Sequence, residues 1–433
     1  MGLGNGGLAH SCTSFPCSTS YTTASAHFAS TPNPTSPRMG TSIASSTSTS
    51  GKMSSGHFAS APNPTSTSGT TTSSTSTPNP TSTSGSTFSP LSLVRPEILS
   101  IAERMRTVLL SEVPHLHATA THFAHPDALG KMIRPSVVLL IASSLATSGA
   151  PPPHLLLPDL RPATTYPPET RRRQQRIAEI TEMIHVASLM HDDVLDDAST
   201  RRGQESANAA FGNKLAILGG DFLLARASVT LASLRDTHVL SLLATVIEHL
   251  VAGEVMQMEA EGDQLTAHDY YMKKTFYKTA SLMAHGCQAV ARIGEASPEV
   301  QSLAYGYGKS LGLAFQVIDD VLDYTSSAAT LGKPALNDVK SGLATAPLLF
   351  AMETHPELRA MAQRRFCRPD DAERAANLVR DSDGVPRARH LASELADEAV
   401  ACVDAFPSTS CPHALESREA LRRISRLVLR REK

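Results

Sequence analysis

The pentapeptide Asp-Asp-Val-Leu-Asp occurs twice in this chain, at 192–196 and at 319–323, each time inside an apolar run with helical spacing. Ile184, Ala187, Leu189 and Met190 precede the first copy; Leu311, Leu313, Ala314, Val317 and Ile318 precede the second. On a helix, Asp192, Asp193 and Asp196, or Asp319, Asp320 and Asp323, stand at i, i+1 and i+4, with the outer two one turn apart on one face. Three carboxylates at the end of an apolar helix repel one another unless a cation neutralises them. A fold that buries both runs must therefore bring two acidic helix ends to a place that cations reach. Clusters facing each other would hold several hard, oxygen-seeking ions such as Mg²⁺. These ions keep open positions for phosphate oxygens, which suits the chemistry of a diphosphate leaving group.

A lone Asp-rich pentapeptide is ordinarily a solvated helix face or a cap. Duplication argues against that here, and so do the neighbours. His191 precedes the first cluster, and Arg201, Arg202 and Gly203 follow it; Gln316 precedes the second, and Gly332, Lys333 and Asp338 follow. Each short segment thus offers metal ligands together with phosphate-binding cations.

The first fifth of the chain cannot contribute a core. Residues 1–90 are Ser, Thr, Pro and Gly with hardly any apolar clustering, carry Arg38 and Lys52, and contain no acidic residue. HFASTPNPTS at 27–36 returns as HFASAPNPTS at 57–66, and PNPTS recurs at 78–82. So little hydrophobic surface does not offset chain entropy, and the leader is read as disordered, with an organelle transit function. A low-complexity tail and a true start at Met39 or Met53 are the alternatives. No uninterrupted apolar stretch of about 18 residues stands out, so no transmembrane segment is expected.

From residue 91 to 433 the chain reads as one all-α domain. Helices are expected over 96–113, 133–147, 173–190, 207–213, 214–233, 238–258, 268–292, 298–322, 338–352, 370–380, 387–405 and 415–431, with no convincing strand. The Pro-rich stretch 148–168 cannot be regular helix and reads as a surface excursion. The formal net charge of −2 gives no basic excess for nucleic acid. Cys12, Cys17, Cys287, Cys367, Cys402 and Cys411 show no metal-ligand spacing, so a reducing compartment is the default.

Several motifs in order now point to a family. GKMIRP (130–135), EMIHVASLMHDDVLDDASTRRG (182–203), GNKLAILGGDFLLARA (212–227), KTASL (278–282), GLAFQVIDDVLDYT (312–325) and GKPALNDVKSGLATAPLL (332–349) resemble the trans-isoprenyl diphosphate synthases. Within them, the likeness is to the long-chain polyprenyl diphosphate synthases that make the ubiquinone tail. It runs from about Val94 to the C-terminus. What it implies is the isoprenoid-synthase fold, an antiparallel helix bundle around a central substrate cavity. It further implies a Mg²⁺-dependent prenyltransferase that condenses isopentenyl diphosphate head-to-tail onto an allylic diphosphate, farnesyl or geranylgeranyl.

By the same resemblance, Asp192, Asp193, Asp196, Asp319, Asp320 and Asp323 would hold two to three Mg²⁺, with Mn²⁺ an alternative. Lys131, Arg134 and His185 would bind isopentenyl diphosphate. Arg201 and Arg202 would clamp the two diphosphates, and Lys278, Thr279, Gln316 and Lys333 would complete the allylic site. The released pyrophosphate would take the final proton. One departure is Met132, where the family often carries a second cation.

Product length follows from the residues four and five before Asp192. These are Ser188 and Ala187, where short-chain members place aromatic rings. With a helical turn of about 5.4 Å near the length of one isoprene unit, small residues leave the floor open. The next turn, Ile184 and Met183, together with Ile180 beyond it, would help set the stop at about C30–C50. The basic stretch LRRISRLVLRR at 421–431 reads as a packed last helix with an exposed cationic face, a peripheral membrane contact being the sharper alternative. A geranylgeranyl diphosphate synthase, a class I terpene cyclase and a non-catalytic partner subunit are the competing functions. Both intact Asp clusters, with Lys131, Arg134 and His185, favour catalysis. The family implies a homodimer or a heterodimer, and mitochondrial import, with the plastid as the alternative.

Overall fold

The computed structural model describes residues 89–122, 132–146, 168–201, 203–325 and 336–431, and nearly all of their regular structure is helix. α1 (Arg95–Val108) and α2 (Pro114–Thr121) lead to α3 (Ile133–Ser144) and the long α4 (Pro168–Leu195). A two-residue antiparallel ladder, Thr200–Arg201 with Gln204–Glu205, precedes α5 (Ala207–Phe211), α6 (Asn213–Ser233) and α7 (Thr237–Glu259). α8 (His268–Thr275) passes through a π turn (Phe276–Ala280) into α9 (Ser281–Ile293), and α10 (Pro298–Thr325) follows. Then come α11 (Asn337–Lys340), α12 (Ala346–Ala351), α13 (Glu357–Gln363), α14 (Asp371–Asp381), α15 (Gly384–Asp404) and α16 (Pro412–Leu429). The expected leader, up to residue 88, and the Pro-rich excursion, up to residue 167, lie outside the described residues.

Helix α3 forms the centre. All its side chains from Pro135 to Ser144 are buried, and it packs on α4, α9 and α16. Val137, Val138, Leu139, Leu140 and Ile141 are each 0 % exposed, and burying each side chain contributes about 1.5–3 kcal/mol. Helix α9 contacts both α4 and α10, so the two helices that carry the acidic pentapeptides share a neighbour. A buried ion pair ties α1 to α4. Arg171 donates to Glu97 through Nε at 2.8 Å and Nη2 at 2.6 Å, and Gln175 adds a third bond to Glu97 at 2.7 Å.

Prolines account for two departures from the expected helices. The run 96–113 stops at Val108, and Pro114 opens a separate α2; the run 338–352 breaks, and Pro347 stands in the first turn of α12. A proline lacks the N–H that a continuous helix needs but costs nothing in a first turn. Helix α13 and the short ladder were not anticipated. In the other direction, α4 runs beyond Met190 through the first acid cluster to Leu195. It ends there because Asp197 takes a left-handed conformation (φ 49°), and Ala198 N–H reaches back to Asp193 O at 2.9 Å.

Among the described residues, α6 and α7 have stretches with mean hydropathies of 1.5 and 1.7, long and apolar enough to cross a bilayer by length and composition only. Asp221 and Arg226 in α6, and Glu248 and Glu254 in α7, interrupt the apolar runs. Both faces are largely open: Val229 is 66 % exposed and Val251 60 %.

Candidate active site

The last turn of α4 separates its three acids. Asp193 is fully buried and accepts from Arg201 on the short ladder, through Nε at 2.8 Å and through Nη2. Asp192 is half-buried and Asp196 exposed, one turn apart. Burial pushes the Asp192 carboxyl up from 3.8 to about 6; the Lys278 ammonium opposes the shift, and Glu254 and Asp196 add to it. An acid held in that state is one that a cation would stabilise.

On α10 the partition is similar. Asp320 is buried, accepting from Tyr271 OH at 2.5 Å and from Gln316 Nε2 at 2.9 Å. Burial raises its pKa in spite of these bonds. Asp323, also buried, accepts from the backbone N–H groups of Asn337 and Asp338, both at 3.1 Å, and so fastens the start of α11 to the end of α10. Asp319 keeps 36 % of its side chain exposed and pairs with Arg431 Nη1 at 2.6 Å, whose guanidinium lies 4.0 Å from the Phe315 ring centroid. The six acids thus differ in exposure and in protein partners, and among the described residues no three His, Cys, Asp or Glu side chains are grouped for a metal. Asp193, Asp320 and Asp323 are buried and engaged by protein donors; Asp192 and Asp196 are more open, and Asp319 is part-exposed and paired with Arg431.

Lys278 and Thr279 lie on the π turn, whose extra residue per turn redirects side chains within an otherwise continuous helix. Two glycines clamp it. A Cβ on Gly253 of α7 would lie 2.9 Å from Lys278 N, and one on Gly312 of α10 would lie 2.7 Å from Ala280 Cα. Lys278 Nζ meets Glu254 at 2.5 Å, and the Thr279 hydroxyl donates to Gln316 Oε1 at 3.0 Å. Gly253→Ala is expected to destabilise the protein by about 1–3 kcal/mol, because backbone on both sides leaves nothing to yield. The loss should be seen as a lower urea midpoint at unchanged slope.

Beside this turn is a cavity of about 240 Å³. Arg134, His185, Thr279 and Arg431, with one acid, Glu182, supply its polar side; Met283, Phe315, Ile424 and Val428 supply much of its apolar side. Arg134 Nη1 lies 3.0 Å from His185 Nε2. Arginine only donates, so Nε2 accepts and the imidazole is the Nδ1–H tautomer in this pair. Met132 also lines the cavity from a left-handed position (φ 47°) at the start of α3. The space suits a small group with a charged end and an apolar end.

Of the residues expected at this site, Arg134, His185, Thr279 and the departure Met132 share the cavity wall, while Lys131, Arg202 and Lys333 lie outside the described residues. Among the chain-length residues, Ser188 keeps partial exposure, its hydroxyl donating to His185 O at 2.9 Å. Ala187, Ile184 and Met183 are sealed in the core at 0–1 % exposure. Sequence reasoning missed Tyr271, Glu254 and Arg431. Tyr271 stands seven residues before Lys278, two helical turns away, and that spacing was the one available signal.

Comparison with known proteins adds to this geometry. The family model described as polyprenyl synthetase matches residues 114–379. A rice protein named mitochondrial solanesyl-diphosphate synthase 1 is 47 % identical over 341 residues, 79 % of this chain and 78 % of that one. A fission-yeast protein, decaprenyl-diphosphate synthase subunit 1, is 41 % identical over 346 residues, 76 % and 90 % of the two chains. A crystal structure of a Caulobacter crescentus polyprenyl synthase, complexed with calcium and isoprenyl diphosphate, superposes with a TM-score of 0.67 at 28 % identity. That match covers 82 % of this chain and all of the other.

Proposed function

This chain belongs to the polyprenyl synthetase family, and we propose that the cavity beside the π turn is where it binds isopentenyl diphosphate for addition to a growing allylic chain. The protein is a prenyltransferase that makes a long-chain trans-polyprenyl diphosphate, as its solanesyl and decaprenyl relatives do. Its place is the mitochondrion, as the rice relative's name states for that enzyme, with the product serving as the ubiquinone side chain. The observation that carries the site assignment is a small cavity whose polar side holds Arg134, Arg431 and His185 against the single acid Glu182, facing an apolar side, walled by both acid-bearing helices.

Arg134 and His185, with Lys131, would hold the isopentenyl diphosphate by charge-assisted hydrogen bonds. Phe315, Met283 and Ile424 would seat its five-carbon end, away from water. Lys278, Thr279 and Gln316 would hold the allylic diphosphate with Lys333, while Arg201 and Arg202 would clamp the two diphosphates. Arg201 also holds Asp193 in place. The more open acids Asp192 and Asp196, and Asp319 once it parts from Arg431, would hold Mg²⁺, and Asp193, Asp320 and Asp323 would support them. Bound there, Mg²⁺ would draw negative charge toward the leaving diphosphate. Two to three ions is the expected complement.

For the growing tail, Ser188 would mark the entrance to the floor, with Ala187 and then Ile184 and Met183 below it. Ser188→Phe is therefore expected to shorten the product by several isoprene units, since each helical turn of about 5.4 Å matches about one unit. Chromatography of the dephosphorylated products would show the shift; an unchanged length would remove Ser188 from the floor. A second subunit, identical or homologous, would cover the apolar faces of α6 and α7, and the fission-yeast relative's name as a subunit supports a heteromer.

Incubating the purified chain with farnesyl diphosphate, labelled isopentenyl diphosphate and Mg²⁺ tests the whole reading. A ladder ending at about C30–C50 is expected. A C20 end point would make it a geranylgeranyl diphosphate synthase, and no incorporation by the folded protein would point to a missing subunit.

A further inference from the structure

Tyr271 on α8 is 4 % exposed and belongs to none of the sequence motifs that mark this site. Its phenol O–H donates one hydrogen bond, which Asp320 Oδ2 accepts at 2.5 Å. The other carboxylate oxygen, Oδ1, accepts from Gln316 Nε2 at 2.9 Å, one turn earlier on α10. Direction then propagates along the chain. An ionised carboxylate only accepts, so the Gln316 amide turns its NH₂ toward Asp320 and its Oε1 the opposite way. That oxygen accepts the Thr279 hydroxyl at 3.0 Å, on the wall of the cavity. Four residues from α8, the π turn and α10 are joined end to end, each link set by the one before.

We propose that Tyr271 is a positioning residue for the allylic diphosphate, acting on Thr279 through Asp320 and Gln316. With the relay in place, Thr279 Oγ1 is held still and only its proton must swing when a diphosphate oxygen arrives. That oxygen is charged, a stronger acceptor than the amide, and takes the proton over. Without the Tyr271 link, Asp320 loses one of its two hydrogen bonds, holds the Gln316 amide less firmly, and the hydroxyl no longer waits in one place. The inference rests on reading Thr279 as a ligand of the allylic diphosphate.

A double-mutant cycle tests it on the full chain, with farnesyl thiodiphosphate, an unreactive allylic analogue, titrated calorimetrically in Mg²⁺. Tyr271→Phe keeps the ring and deletes the donor; Thr279→Val deletes the hydroxyl. Each is expected to weaken binding about tenfold, and the double variant by no more than about twofold beyond Thr279→Val alone. Affinity for isopentenyl diphosphate should stay as it was in Tyr271→Phe, whose side chain does not line that cavity. Fully additive losses, or wild-type binding by Tyr271→Phe, would overturn the relay. Wild-type binding by Thr279→Val would instead overturn the assignment of Thr279, and the inference with it. A parallel loss of isopentenyl diphosphate affinity in Tyr271→Phe would mean a collapsed site and is equally fatal. If Tyr271→Phe melts below the titration temperature, the cycle is repeated at a lower temperature at which its melting curve shows it folded, with the same expectations.

Discussion

Replacing Asp192 by asparagine, or Asp319 by alanine, is expected to lower turnover by about 10²–10³-fold or more, the scale on which one preorganised charge at a leaving group acts. The two changes should leave the fold intact, and the first should strengthen it when no metal is present. Asp192 has its carboxyl raised from 3.8 to about 6 by burial, with Glu254 and Asp196 adding to the effect. A carboxyl whose folded value lies above its unfolded one binds its proton more tightly when folded. The folded state is therefore favoured by this group below the unfolded value, and loses that advantage as pH rises from about 4 through about 6. Metal-free wild type should melt lower at pH 7 than at pH 5 as far as this residue is concerned, and Asp192→Asn should flatten the difference. Mg²⁺ should raise the melting temperature of the wild type at pH 7 and do so far less for Asp192→Asn. Melting curves with and without Mg²⁺ at the two pH values decide the matter. A variant that is both inactive and less stable in every condition would make Asp192 a structural acid rather than a ligand.

Glu97→Ala is expected to cost about 3–5 kcal/mol, the largest loss of stability from any single change considered for this protein. The alanine leaves Arg171 buried, its side chain 4 % exposed, with its charge uncompensated. In the native protein burial pushes the Glu97 carboxyl up, but Arg171, helped by Gln175, outweighs it and holds the group below its usual range. The damage would not stay local. Arg171 also donates to Ser143 Oγ at 3.1 Å, so α1, α3 and α4 meet at this pair. Urea unfolding should show the loss, and Glu97→Leu combined with Arg171→Met should recover much of it, since a well-packed apolar pair needs no counter-charge. If Glu97→Ala shifted the midpoint by less than about 1 kcal/mol, water must reach Arg171 and the pair would not be the anchor of α1.

The two clusters show how far the sequence could be read. That Asp192, Asp193 and Asp196 share a helix end follows from spacing alone, and so does the grouping of Asp319, Asp320 and Asp323. Spacing does not tell which acids already have partners. Arg201 reaches Asp193 only because Asp197 turns the chain back after Leu195. Arg431 reaches Asp319 across 112 residues, so its part in the site has no local signature. The last helix is instead the packed one that was expected: Leu421, Ile424 and Val428 join the core.

By itself, then, the sequence determined the helical class, the two acidic helix ends, the motif order and the small residues at 187 and 188. Each of these is written in contacts or periodicities within one turn or two. The tertiary structure alone decided which acids stay accessible, that Lys278 and Thr279 sit on a π turn clamped by Gly253 and Gly312, and that Tyr271 joins the site through Asp320. Those outcomes depend on which distant donor fills each acceptor and how closely two backbones approach, and no run of neighbouring residues encodes either.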